Sequence, residues 1–208
     1  MFREALYGAL VIALGCSVLG VYVVLRRIVF VGAALAQLSS AGIALALFLA
    51  SRGIVLGGHP ADLVFSLLFA LAGVVFFALH GARYRVPPDA GLGMAYAVAG
   101  AAGVLLVAKA AGADAHELFL KGNILGITAG EAAWLAAIVA AVLVVHALFS
   151  KEFVFVSFDP EMARTLGYNV RRWNLLLYLT FGVVIAAAME SAGVLLVFNF
   201  LVLPAVTG

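Results

Sequence analysis

Seven long apolar runs, parted by short clusters of charge, glycine and proline, set the layout of the chain. They cover about residues 5–25, 28–50, 62–80, 91–112, 131–149, 174–189 and 193–207. Between them lie the polar stretches 26–27, 51–61, 81–90, 113–130 and 150–173, and the brief 190–192. A helix rises about 1.5 Å per residue, so about 20 apolar residues cross the ~30 Å hydrocarbon core of a bilayer. In that core every backbone N–H and C=O needs an internal partner, which only helices and closed barrels supply. Barrel strands alternate apolar and polar positions, whereas these runs are continuous. The pattern predicts an all-α, polytopic transmembrane helical bundle with about seven membrane segments, formed by residues 1–208 as a single domain.

Composition sharpens this picture. Of the 208 residues 66% are hydrophobic and 11% are charged, against about 25% charged in soluble domains. That shortage excludes a soluble globule, a disordered chain and a nucleic-acid binder. The net charge of +2 says less than its distribution. Arg26, Arg27, Arg83, Arg85, Lys151, Arg164, Arg171 and Arg172 fall on one side of the predicted topology, which is 8 of the 12 Lys and Arg. Arg3, Arg52, Lys109 and Lys121 fall on the other. The positive-inside rule places the larger set in the cytoplasm and the N-terminus outside. The first run is too long for a signal-peptide core and is followed by Arg26 and Arg27, so it reads as a retained span. The single cysteine, Cys16, excludes an internal disulfide and a CxxC motif, and reads as a small apolar residue.

Small residues recur at helical spacing, with Gly91, Ala95, Ala99 and Gly103 in the fourth run and Ala132, Ala136 and Ala140 in the fifth. Such faces let helices approach closely within one subunit. Few polar side chains stand inside the runs. Gln37, Ser39 and Ser40 cluster in the second, and Asn199 interrupts the last. Polar groups in lipid either mark a substrate path or pair between helices, and both readings are open. His146, alone near the inner end of the fifth run, reads as a packed or interfacial imidazole. The outer stretch holds Asp114, His116 and Glu117. Carboxylate with imidazole can form a mouth for a divalent cation, with His116 and Glu117 as candidate metal ligands; a solvated loop is the other reading.

In the longest polar stretch, Asp159 before Pro160 and Glu161 reads as an N-cap, a proline at the first helical position and an acidic first turn. Gly167 supplies the stop. A helix of about two turns is predicted here. It is either a docking knob for a soluble partner or an interfacial helix turning Arg164, Arg171 and Arg172 to anionic lipid. The segment Phe158-Asp-Pro-Glu-Met-Ala-Arg-Thr-Leu-Gly167 resembles the coupling segment of the permease subunits of zinc/manganese/iron ABC transporters. Three more blocks match that family in the same order. Leu19-Gly-Val-Tyr-Val-Val-Leu-Arg-Arg27 resembles the exit of its first helix, and Leu120-Lys-Gly-Asn-Ile-Leu-Gly-Ile-Thr128 its FGNILGVS-type element. Gly193-Val-Leu-Leu-Val-Phe-Asn-Phe-Leu-Val-Leu-Pro-Ala205 is similar to its GVLLVSALLVIPA helix.

The resemblance implies the fold of a type II ABC importer permease and ATP-driven import of zinc, manganese or iron by alternating access. It implies a homodimer in a bacterial or archaeal inner membrane, working with cytoplasmic ABC ATPase subunits and an external substrate-binding protein. The chain itself is then a transport subunit with no catalytic residue and no cofactor; ATP and Mg belong to the partner ATPase. No GxxxxGK[ST] motif is present, in keeping with that division. Phe158, Asp159, Pro160, Glu161, Ala163, Arg164 and Gly167 take the coupling role. The family's second helix carries a Gly-Asp-Ala-Leu-x-His pattern, where this chain has Gly32-Ala-Ala-Leu-Ala-Gln37. Ala33 stands for the acid and Gln37 for the imidazole. Gln37, Ser39, Ser40 and Asn199 are then the path residues, and the cargo is a divalent metal or, alternatively, a metal chelate or other solute. Family members continue past the Leu-Pro-Ala motif, so the chain is expected to be incomplete at its C-terminal end. The competing classes are an ion-coupled secondary transporter and a membrane scaffold. The first calls for mid-membrane charge, yet Lys109 and Glu131 stand near run ends and Glu190 at a turn.

The charge asymmetry generates a topology test. In a Cys16→Ala background, a cysteine from Arg164→Cys is shielded from an impermeant thiol reagent in intact cells, and one from Ala115→Cys is labelled. Labelling of the first would reverse the orientation.

Overall fold

The computed structural model describes residues 2–28, 30–54, 59–80, 88–110 and 127–207, all helical apart from short turns. The helices are α1 (Phe2–Leu25), α2 (Phe30–Ser51), α3 (His59–His80), α4 (Pro88–Lys109) and α5 (Ala129–Leu148). Two short ones, α6 (Ser150–Phe158) and α7 (Pro160–Thr165), precede α8 (Val170–Ala192) and α9 (Val194–Thr207). Six of them, α1 to α5 and α8, are long and apolar enough to cross a membrane. The seventh apolar segment forms α9, which has 14 residues and so extends about 21 Å, short of a full hydrocarbon core.

The break before α9 comes at Gly193 (φ 77°). The preceding Glu190, Ser191 and Ala192 continue α8. At its other end α8 begins four residues earlier than hydropathy indicates. Asn169 caps it by accepting from the Arg172 N–H at 3.2 Å, which lets the polar first turn be helical. The start of α5 is fixed by a reciprocal capping box. The Thr128 N–H donates to Glu131 Oε2 at 2.8 Å, and the Glu131 N–H donates to Thr128 Oγ1 at 3.3 Å.

Helix α2 occupies the middle. It packs against α3, α4, α8 and α9, while α1 lies against α5 and α9, and α3 also against α8. Lipid provides little hydrophobic drive between helices, so close approach and dispersion contacts hold such a bundle. The α2–α3 contact shows how close. A Cβ on Gly42 would fall onto the backbone carbonyl of Phe65. The core behind it joins Ile12 and Leu19 of α1, Leu35 of α2, Leu177 and Phe181 of α8 and Leu201 of α9.

Ala99 and Gly103 of the α4 small-residue stripe are buried, in line with packing within the subunit. On α5 the stripe gives way to a different face. Leu135, Val139, Val142 and His146 are buried and Ala140 is exposed. The small partner sits on the other helix: a Cβ at Gly15 of α1 would come within 2.9 Å of Val139 Cγ1.

Helix α1 ends in a Schellman turn. The Ile28 N–H donates to the Val23 carbonyl at 3.1 Å and the Arg27 N–H to that of Val24 at 3.0 Å. The left-handed position is filled by Arg27 (φ 55°) instead of glycine, which costs about 1 kcal/mol of backbone strain. Arg27→Gly is therefore expected to stabilise the detergent-solubilised protein by ~0.5–1 kcal/mol in thermal unfolding. A loss of stability would show that the Arg27 side chain makes offsetting contacts.

Candidate functional site

The segment joining α5 to α8 is built from caps. Asp159 closes α6, its N–H donating to the Phe155 carbonyl at 3.0 Å. The same residue opens α7, where its Oδ1 accepts from the Met162 N–H at 2.9 Å, and Pro160 fills the first helical position. Gly167, at φ 88°, turns the chain back, and the Tyr168 N–H reaches the Ala163 carbonyl at 3.0 Å. Ala163 is fully buried with Val156 and Val170 beneath α7. Beside this buried base an apolar side is exposed, with Met162 at 54% and Leu166 at 61%, next to Phe158 at 78% at the end of α6. Glu161 and Arg164 of the same helix are also exposed. The seven residues expected to take the coupling role therefore sit together, with Ala163 buried beneath the helix and the others at its surface and ends.

The path candidates separate. Ala33, Gln37 and Ser40 share one face of α2, being three and four residues apart. Ser39 projects about 100° away from Ser40. It is fully buried, and its hydroxyl, like that of Ser66 on α3, has no hydrogen-bond partner among the described residues. Gln37 is half-buried and lies over Gly100 of α4. A Cβ there would stand 3.0 Å from Gln37 Nε2 and 3.5 Å from its Cδ. Asn199 is exposed on α9, whose Val197 and Leu201 turn to the core. Among the described residues no group of three His, Cys, Asp or Glu is placed to hold a metal ion. Asp114, His116 and Glu117 lie outside the described residues.

At the α7 end of the bundle two polar side chains bridge helices. His146 is buried as a packed imidazole, stacked on Phe153 at 4.7 Å between ring centroids and tilted against Tyr22 at 5.0 Å. The Thr180 hydroxyl donates to the Leu177 carbonyl at 2.7 Å. It therefore accepts from His146 Nε2–H at 3.0 Å, which places a proton on Nε2. Arg26, just past α1, donates from Nε to Ser157 Oγ of α6 at 2.8 Å and from Nη1 to Asn174 Oδ1 of α8 at 2.7 Å. Burial pulls its guanidinium below the ordinary value, with Tyr178 acting in the opposite sense.

A chain-long family match decides the relationship. The model of the ABC 3 transport family matches residues 1–208. The chain belongs to that family. It is 26% identical over 206 residues to the manganese transport system membrane protein MntC of Listeria monocytogenes, covering 99% of this chain and 70% of that one. It is 28% identical over 206 residues to the manganese import system permease protein ScaB of Streptococcus gordonii, with the same coverage. The fold superposes on a chain of PsaBC from Streptococcus pneumoniae in complex with Fab. That match has a TM-score of 0.78 and 24% identity, covering 99% of this chain and 71% of that chain. A multi-pass membrane protein of the ABC 3 family is thus established.

Within this family member, sequence reading located α7 but not the two bridges that meet beside it. Arg26 reads only as inner-boundary charge, and α6 is hidden in a segment counted as polar. The available signal was the spacing of Phe153, Val156 and Ser157, all buried on one face of α6. The Gln37–Gly100 contact yields a prediction. Gly100→Ala displaces the Gln37 side chain and lowers uptake about tenfold, the effect of ~1.4 kcal/mol of lost positioning. Gly93→Ala on the same helix, where an added Cβ meets nothing within 4 Å, leaves uptake unchanged. Equal uptake by both variants would remove Gln37 from the path.

Proposed function

We propose that this chain is the membrane-spanning permease of an ATP-driven ABC importer, with a divalent metal ion held by oxygen donors, manganese foremost, as its cargo. The observation that carries the reading is α7. It is a short helix with capped ends, a buried base at Ala163 and exposed apolar residues at Met162 and Leu166, beside Phe158 at the end of α6. An apolar patch rimmed by charge is suited to a protein partner. The reading makes that partner a cytoplasmic ABC ATPase. Two copies of the permease pair in a bacterial inner membrane, and an external binding protein delivers the cargo.

The cargo assignment rests on relatives named for manganese and on the chemistry of α2. Zinc favours imidazole and thiolate in tetrahedral sites, whereas manganese suits carboxylate, carbonyl and water oxygens. With Ala33 and Gln37 on the face shared with Ser40, α2 offers an amide and a hydroxyl oxygen and no charge. Such donors suit an ion that keeps part of its water. A chelated metal is the second reading, favoured by the same neutral face.

The complete complex, reconstituted with its ATPase and binding protein, tests the proposal. Manganese uptake requires ATP and is lost with a hydrolysis-dead ATPase; persistence would make the chain a secondary transporter. Glu161→Lys and Gly167→Val, the latter strained at φ 88°, lower uptake per ATP about tenfold, or ~1.4 kcal/mol of coupling, with assembly intact. Ala33→Asp with Gln37→His increases zinc retention. Unchanged zinc retention would overturn the oxygen-donor assignment.

A further inference from the structure

We infer that Arg26 is the positioning residue that carries displacement of the α6–α7 segment to α1 and α8. The inference rests on the coupling role proposed for α7. Arg26 lies in the turn after α1, and its planar guanidinium reaches two different helices at once. Ser157 is on α6, two residues before the shared cap Asp159, and Asn174 is in the second turn of α8.

Three observations separate this arrangement from an ordinary helix stop. The stop is already made by the backbone, through the Schellman turn at Arg27 and Ile28, so the Arg26 side chain is not needed for it. Both acceptors, Ser157 Oγ and Asn174 Oδ1, are neutral, and Nη2 is buried with no hydrogen-bond partner among the described residues. A cation held this way is a poor source of stability, because desolvation works against it. Its geometry is specific, however. The guanidinium is a rigid fork, and Nε and Nη1 are fixed relative to one another. Ser157 and Asn174 therefore cannot shift separately without breaking a bond to Arg26.

The path for displacement follows from the packing. Only Asp159 separates α6 from α7, so a push on α7 moves Ser157. Arg26 delivers that movement to the end of α1, which packs along α5 and α9, and through Asn174 to α8, which packs on α2 and α3. Through one side chain the movement reaches α1 and α8 and the helices packed on them, and α4 only by way of α2.

The test measures uptake per ATP hydrolysed in assembled complexes of the full chain with its ATPase and binding protein. The variants are Arg26→Gln, Arg26→Lys, Ser157→Ala, Asn174→Ala and the Ser157→Ala/Asn174→Ala pair. Arg26→Gln and the acceptor pair are expected to hydrolyse ATP at near-normal rates while uptake per ATP falls about tenfold, equivalent to ~1.4 kcal/mol. Each single acceptor change has a smaller effect. Lysine keeps the charge but not the fork, so Arg26→Lys does not restore coupling. Arg27→Gly, which alters the same turn without touching the guanidinium, couples normally. Normal coupling in the acceptor pair overturns the inference whatever Arg26→Gln does. Loss of assembly in both Arg26→Gln and the acceptor pair also overturns it, by making the contact purely structural. If Glu161→Lys leaves coupling intact as well, the coupling role of α7 itself has failed. If Glu161→Lys uncouples and these variants do not, only the role of Arg26 has failed.

Discussion

Everything in this bundle depends on how closely a helix can approach α2. In lipid, apolar side chains gain nothing by turning from acyl chains to one another, so contact must come from shape. Helix α2 meets this with Gly32, Ala33, Ala34, Ala36, Ala41, Gly42, Ala44 and Ala46, all buried. Four helices can then surround it, and at Gly42 the backbone of α3 comes into direct contact. A larger residue at that point would have to move a main chain, not a side chain. Within its packed length the polar character of α2 is consequently confined to what small packing tolerates: Ser39, Ser40 and the half-buried amide of Gln37.

That confinement shapes the proposed transport path. A charged pair at positions 33 and 37 would hold a bare cation firmly, and a passage must also release what it binds. Neutral dipoles bind more weakly and leave more of the ion's hydration in place. On the proposed reading, selection of the cargo falls to the delivering protein and to electrostatics at the mouth, and the membrane core is a conduit that discriminates by size and hydration.

The fold was largely legible because bilayer thickness and backbone hydrogen bonding leave so few solutions. Continuous runs of about 20 apolar residues mean helices, and the Asp159–Pro160–Glu161 and Gly167 signals placed α7 within a residue of its ends. The ends of α8 were less legible, because capping at Asn169 and the φ of Gly193 outweigh hydropathy there. Thr128 and Glu131 carry a capping-box spacing that fixes the start of α5, although Glu131 reads first as a charge near a run end. Of the candidate path, Gln37 and Ser40 follow from helical spacing alone. The exposure of Asn199 does not, since it depends on which face α9 turns to α1. Contacts such as Arg26 with Ser157 and Asn174 join residues more than 130 positions apart, and no local pattern encodes them.

Asp159 is at once the last cap of α6 and the first cap of α7. Two helices joined through one residue have no slack, so their relative phase is set by residue count. One residue added or removed there turns α7 by about 100° about its axis. Met162 and Leu166 would swing out of register with the partner surface proposed for them, and Ala163 would leave its buried seat. Substitutions can drift along this stretch, but its length cannot. Among diverging relatives that share the partner, the spacing from Phe158 to Gly167 should outlast the identity of most residues within it.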